Sequence, residues 1–320
     1  MGKLVEIISL VKEIPEEYLD ETLAKVKEIK EKADAEKEPE GADCPHCNSG
    51  QVVRNGRKSG KQAYLCRSCN KSFVQTSRAA VENSHSSATV WKQVISDTIN
   101  GVPIDKTSDT LGLHHETVFN MRHKILYCIE RSLSANPIEM AGVCEADETY
   151  VLESVKGRKI PEGYHRKPRK HGAVASKRGI SEEYICVCAS VTGKGDNVAV
   201  AVNRAMPSSQ EILGVYGERV SEDTVVLCDG NSSYNILEDK CTIATTRRIN
   251  RVNGFHSFIK ERLDAMRGVA TIYLNRYNAL FSMVYAADKS VVDEIFDLMT
   301  AQRGLSGTIA TTQSANLLNV

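Results

Sequence analysis

No secretory signal opens the 320-residue chain, which starts Met-Gly-Lys-Leu-Val-Glu, and no apolar run approaches the ~20 residues that span a bilayer. Secreted and membrane-embedded classes are set aside, and the expected setting is the reduced cytoplasm, with no membrane partner. Net charge is missing as well: Lys plus Arg and Asp plus Glu both number 41, so overall charge announces no polyanionic partner. The chain has no internal repeat. It also has no Gly-rich phosphate loop with its Lys, which leaves nothing to imply a nucleoside triphosphate.

The charge that is present is unevenly placed. Residues 1–40 hold 12 acidic and 7 basic side chains, leaving 29 and 34 in the other 280 residues, a net of +5. Within the first 40, Ile8, Val11, Leu19, Leu23, Val26 and Ile29 recur at helical intervals before the chain dissolves into charge and Pro39. An acidic helical leader and linker is expected over 1–40; a solvated helix face and a dimerisation helix both fit it. A chain this long exceeds one hydrophobic core. Its texture divides it into a cysteine-rich ribbon at 41–75, a helical region at 86–135, an α/β domain with a mixed sheet at 140–300 and a mobile tail at 301–320.

The ten cysteines do not suggest disulfides in a reduced setting; their spacing matters more. Cys44-Pro45-His46-Cys47 and Cys66-Arg67-Ser68-Cys69 are two Cys-x-x-Cys pairs 18 residues apart. Each pair can place two thiolates on one tight knuckle, and two knuckles give the four sulfurs of tetrahedral zinc. Residues 51–57 and 61–65 between them read as a hairpin. The unit resembles a zinc ribbon, and so short a chain needs the metal for much of its folding free energy.

Trp91, Val94, Ile95, Thr98 and Ile99 share one helix face, ended by Asn100-Gly101. Pro103 opens a short helix that stops at Gly112, and a further helix runs from about His115 through Val118, Met121, Ile125 and Ile129. This is a helix-turn-helix pattern, although an ordinary three-helix packing unit fits the same residues. As a DNA reader the last helix would present His115, Glu116, Asn120, Arg122 and Lys124 outward, with Asn120 and Arg122 as readers of base edges.

From Val143 the pattern turns to short strands at 143–152, 183–191, 197–202 and 224–229. Between the first two lies a basic loop with Lys156, Arg158, Lys159, Arg166, Lys167, Arg169 and Lys170, suited to DNA phosphates. In Val143-Cys144-Glu145-Ala146-Asp147-Glu148 the carboxylates Glu145 and Asp147 fall on one face of a strand apolar enough to be central. Such a face is costly unless something positive meets it, and a divalent cation is the natural counterpart. A second strand ends in Asp229-Gly230-Asn231. A later helix, expected over 250–267, carries Asn253, His256 and Lys260 on one polar face beside a buried stripe of Val252, Phe255, Ile259, Leu263 and Met266. Two carboxylates on a sheet plus a polar group from a late helix is how RNase-H-like enzymes hold two magnesium ions for phosphoryl transfer. Taken singly, Asp147 also fits a satisfied strand aspartate and Asp229 a plain turn residue.

In order from Cys44 to Tyr277, the zinc ribbon, the helical unit, Glu-Ala-Asp-Glu-Thr-Tyr, Leu-Cys-Asp-Gly and Arg-Val-Asn-Gly-Phe-His-Ser-Phe-Ile-Lys are followed by Arg267-Gly268-Val269-Ala270-Thr271-Ile272-Tyr273-Leu274-Asn275. This set is similar to the ISXO-like insertion-sequence transposases, a zinc-ribbon branch of the DDE superfamily, over about three quarters of the chain. The resemblance implies an RNase-H-like catalytic domain with Asp147 and Asp229 as the first two magnesium ligands. The third position falls on Asn253, where the sequence departs from Asp-Asp-Glu; Asn253 followed by Lys260 implies an active Asp-Asp-Asn variant. An Asn oxygen brings no charge, so Glu145 or Glu261 is a candidate for the missing one.

The expectation is thus an insertion-sequence transposase, a polynucleotidyl transferase and nuclease of the cytoplasm and nucleoid. Its structural zinc is held by Cys44, Cys47, Cys66 and Cys69, and its catalytic magnesium by Asp147, Asp229 and Asn253, with Lys260 beside them. Its partner is double-stranded DNA, as transposon ends and target, and holding two ends together asks for a homodimer or larger synaptic complex. The alternative is a non-enzymatic zinc-ribbon and helix-turn-helix regulator.

Overall fold

The computed structural model describes residues 44, 47, 49–58, 61–74, 80–81, 84–160, 162, 164, 175–285, 287 and 291–301. The leader over 1–40 and the tail from 302 lie outside the described residues, as do Arg166, Lys167, Arg169 and Lys170. The chain divides into two compact units, residues 1–75 and 76–320.

In the first unit β1 (Val52–Lys58), β2 (Lys61–Cys66) and β3 (Ser72–Val74) form an antiparallel meander. Gly56, at φ +67°, sits where the β1–β2 register slips between Arg54 and Arg57, a bulge that glycine tolerates. Apolar support is slight: Phe73 stacks on Tyr64 at 5.6 Å beside buried Cys44 and Cys66.

The second unit opens with α1 (Ala88–Ile99), α2 (Ile104–Leu111) and α3 (His115–Ala135). Ser87 caps α1 by accepting from the Val90 N–H, and Gly112, at φ +62°, ends α2 in the left-handed region. At Gly101, also left-handed, a Cβ would lie 3.1 Å from the Ala265 Cβ, so a side chain there would be strained in backbone and crowded. The sheet follows, with β4 (Val143–Leu152), β5 (Tyr184–Thr192), β6 (Asn197–Arg204), β7 (Val225–Cys228) and β8 (Thr242–Thr245) in the order β6-β5-β4-β7-β8. β4, β5 and β6 pair antiparallel while β7 and β8 run parallel to β4, so the sheet is mixed. The helices α4 (Ser209–Tyr216), α5 (Asn250–Ala265), α6 (Leu274–Tyr285) and α7 (Val291–Ala301) complete the unit.

Alternation along β4 and β5 sends each face of the sheet into its own core. One face packs Cys144, Ala146, Cys186 and Cys188 against Ile212, Val215 and Tyr216 of α4. The other packs Ile185, Val187, Ala189 and Val191 into a larger cluster with α1, α3, α5, α6 and α7. Trp91, Val94, Ile95, Ile125 and Ile129 belong to that cluster, so the helical stretch is not set apart but shares the core of the sheet. At the sheet edge, the Asn275 amide accepts from the Ala201 N–H at 2.7 Å and donates to the Ala201 carbonyl at 3.0 Å.

Candidate active site

The four cysteine sulfurs of the ribbon lie within 4.8 Å of one another. Sγ of Cys44 is 3.6 Å from that of Cys69, and Sγ of Cys47 is 3.6 Å from that of Cys66. Each contact joins one knuckle to the other, which is the closed tetrahedral arrangement a structural zinc takes.

In the second unit the acidic residues gather where β4 and β7 run side by side. The parallel register pairs Glu145 with Leu227; Asp147 lies two residues further along β4, and Asp229, in the turn just past the end of β7, is close enough for its charge to act on it. Asp229 is exposed in the turn after β7, where its Oδ1 accepts from the Asn231 N–H at 3.3 Å and Gly230 takes φ +100°. Asp147 is more enclosed, with its side chain 18% exposed. Burial pushes the Asp147 carboxyl up to about 6; an N–H from the Glu148 backbone opposes the shift, and repulsion from Glu148 and Asp229 adds to it against some relief from Lys260. Glu148 points to the opposite face, accepts from the Asn231 amide at 3.3 Å, and is likewise raised chiefly by burial.

Helix α5 lies along the Asp147 face of β4, and Glu145 holds its start. The buried carboxylate accepts from the Arg251 N–H at 2.7 Å, the Val252 N–H at 3.2 Å and the Arg251 guanidinium at 3.3 Å. Ile249, at the N-cap, supplies no side-chain cap of its own, so the strand caps the helix. The positive counterpart that an acidic strand face demands is therefore, at Glu145, a helix N-terminus and an arginine rather than a cation. This removes Glu145 as the source of the missing metal-site charge.

One turn and a half further on, the His256 Nδ1 lies 3.9 Å from Asp147 Oδ2. Burial, with repulsion from Lys260, brings this imidazole down to about 4 despite a contact with the Asp147 backbone, so it is neutral. Its Nε2 is buried with no hydrogen-bond partner. Asn253 and Lys260 share that helix face and are exposed, and Lys260 is close enough for its charge to act on Asp147. Among the described residues no three His, Asp or Glu donor atoms of this site lie within 4.8 Å of one another; the site is looser than the cysteine quartet.

Helical spacing places His256 on the polar face with Asn253 and Lys260 but assigns it no role at the site, and it singles out Glu148 for none.

The expected DNA-contacting residues fare differently. Arg122 does not face outward: it is buried, and its Nη2 donates to the Val102 carbonyl at 2.8 Å. It belongs one residue after Met121 and four after Val118, on the helix side that enters the core. Asn120 is half-buried, and Lys124 donates to the Ala80 carbonyl at 3.3 Å. Lys156 is exposed but donates to the carbonyls of Arg267 and Gly268 at 3.0 and 3.2 Å, just beyond the end of α5. That contact complements the negative end of the helix and leaves the ammonium less free for phosphate. Arg158 and Lys159 are exposed. The far end of the basic loop is pinned by buried Glu183, which accepts from the Ser176 N–H and hydroxyl, each at 2.6 Å.

Residues 42–70 match the family model described as the InsA N-terminal domain, a zinc ribbon. A protein of the transposable element ISH50 of Halobacterium salinarum is 25% identical over 202 residues, 62% of this chain and 65% of the relative. The chain thus spans just under two thirds of the length of that curated relative. Among solved structures, a pre-cleavage Mos1 transpososome covers 62% of this chain and 71% of its own at 9% identity and a TM-score of 0.28. A Mos1 strand transfer complex covers 61% and 69% at 11% identity and a TM-score of 0.27. Scores that low fall short of a shared overall arrangement. By its ribbon and its relative, the chain is similar to insertion-sequence proteins that carry a zinc ribbon of the InsA kind.

Proposed function

We propose that the chain is an insertion-sequence transposase that cuts transposon ends and joins them to target DNA by metal-dependent phosphoryl transfer. The observation that carries this reading is the approach of Asp147, on β4, to Asp229, in the turn that follows the adjacent parallel strand β7, under a helix that brings His256 and Lys260 to Asp147. The relative from a transposable element supports it.

The donor set fits a hard divalent cation. Burial and mutual repulsion hold Asp147 well above the ordinary carboxylate range, the state of a carboxylate lacking a positive partner. Magnesium, as a pair of ions, would supply Lewis-acid stabilisation of the attacking and leaving oxygens. Asp147 and Asp229 would hold it by charge, with Asn253 as the uncharged third group. Lys260 sets a cation beside the carboxylates to receive the phosphate, and Arg158, Lys159, Arg166, Lys167, Arg169 and Lys170 would track the backbone of double-stranded DNA. The proposed assembly is a homodimer or larger synaptic complex acting in the cytoplasm; among the described residues no helix is long and apolar enough to cross a membrane.

The test uses a labelled transposon end with added magnesium. Asp147→Asn and Asp229→Asn should abolish strand cleavage and leave end binding nearly intact. If Asn253 is the third ligand, Asn253→Glu should lower the magnesium needed for half-maximal cleavage and Asn253→Ala should raise it. Normal cleavage by the Asp147 and Asp229 variants would overturn the proposal and leave the DNA-binding regulator.

A further inference from the structure

Successive residues of β4 face opposite sides of the sheet, and its neighbouring carboxylates hold different things. Asp147 lies on the α5 side, against His256. Glu148 turns to the other side, where its Oε1 accepts from the Asn231 amide at 3.3 Å. We propose that Glu148 is a positioning residue for the cation site: through Asn231 it holds the turn that presents Asp229. One stretch of strand would then carry the first carboxylate and set the place of the second; this rests on the metal-dependent reading above.

The hydrogen bonds around Asn231 carry the inference. Its amide nitrogen donates to Glu148, its amide oxygen accepts from the Ser233 N–H at 3.0 Å, and its backbone N–H donates to Asp229 Oδ1 at 3.3 Å. A side chain satisfied at both ends rigidifies the backbone that bears it, and the last of these bonds orients the Asp229 carboxylate. Asp229 itself is exposed, so packing around its own side chain does little to place it. Gly230, at φ +100°, lets the chain reverse between the two residues but fixes nothing. On the far side of Asn231 the chain enters a short 3-10 helix, Ser232–Leu237, whose Tyr234 and Leu237 are fully buried in the core on the Glu148 face. The turn is thus tied to that core behind it and to β4 beside it.

The chemistry of the tie separates it from ligation. A metal ligand works by its charge, whereas a positioning residue needs only an acceptor oxygen in the right place. Glu148→Gln removes the first and keeps the second.

The probe is Mn2+ alone, added to the full-length zinc-loaded protein without DNA, with binding read from the free-ion electron paramagnetic resonance signal. Readings are taken where Trp91 fluorescence shows each variant folded. Groups that orient metal ligands change affinity by about 10–100-fold, so Glu148→Ala should bind Mn2+ at least about tenfold more weakly, while Glu148→Gln should stay within about threefold of the parent. Asn231→Ser keeps a capping oxygen for the short helix but is too short to reach Glu148. It should show the Glu148→Ala loss, and the two changes together should lose no more than either alone. A Glu148→Gln variant as weak as Glu148→Ala overturns the proposal, because charge and not the bond would then be at work; so do additive losses in the double variant. Affinity within about twofold of the parent in Glu148→Ala and Asn231→Ser, while Asp229→Asn abolishes binding, also overturns it, and in that case the metal-dependent reading stands. Should Glu148→Ala fail to fold, Asn231→Ser decides alone by the same criterion. Unchanged affinity in Asp147→Asn and Asp229→Asn takes down both.

Discussion

Glu145→Ala should destabilise the second unit by about 3 kcal/mol, because the carboxylate is the buried anchor of α5. It accepts two backbone N–H groups and one guanidinium N–H, and hydrogen bonds to a charged group contribute about 1.5–3 kcal/mol each. The full sum is not expected. The Arg251 side chain is 53% exposed and can turn to water, whereas Val252 is fully buried and its N–H would be stranded. Glu145→Gln keeps an acceptor oxygen without the charge and should lose roughly half as much. The chain holds one tryptophan, Trp91, buried in the large core of this unit, so urea unfolding followed by its fluorescence reports the second unit without interference from the ribbon. About 3 kcal/mol corresponds to a fall in Tm of roughly 6–12 °C for a unit of this size. A loss below about 1 kcal/mol for Glu145→Ala, with an unchanged urea slope, would refute the anchoring role.

Asp147 makes stability depend on pH. Its folded-state value, about 6 against an ordinary 3.8, means that the folded protein binds more protons than the unfolded chain between those values, so stability falls as pH rises through that window, by up to about 3 kcal/mol. In buffer without added divalent cation, Asp147→Asn should flatten that slope and be the more stable protein at pH 7; a less stable variant with the slope intact contradicts the burial argument. Elemental analysis should find one zinc per chain, lost in Cys66→Ser together with DNA-end binding, and folded protein free of zinc would contradict the ribbon site. Arg122→Ala should lower stability and leave sequence preference in DNA binding unaltered, whereas a changed base preference would return it to the DNA surface. Arg158→Ala should reduce the slope of log affinity against log salt by about 1, and Lys156→Ala should leave it unchanged because that ammonium is engaged at the end of α5.

The strands were legible where side chains alternate or the apolar run is long. The expected 143–152 is β4 residue for residue, and 183–191 lies within one residue of β5 at each end. Glycine marked the ends of α1 and α2 for the same local reason, the left-handed turn. What escaped was short or tertiary. β8 is only Thr-Ile-Ala-Thr, too brief for a period, and α4 went unnoticed although Ser208 and Glu211 form a capping box at its start. The paired carboxylates of β4 could be found from spacing, but not their division of labour: Glu145 serves a helix 106 residues away, and nothing local distinguishes it from Asp147. Arg122 misled because charge suggested a surface where the helical period, anchored on Val118 and Met121, pointed inward.

The shared core of the second unit bears on how such a chain can be rebuilt by recombination. A ribbon that folds around four sulfurs is a cassette, exchangeable at the cost of one linker. The helices over 88–135 are not: they lend Trp91, Ile95, Ile125 and Ile129 to the same interior that supports the acidic sheet. Transplanting the helices whole would expose one side of the sheet to solvent, so any change made there must arise by substitution on their outer faces. On the proposed reading, the ribbon can be exchanged alone, whereas the helices over 88–135 are inherited together with the acidic sheet whose core they share.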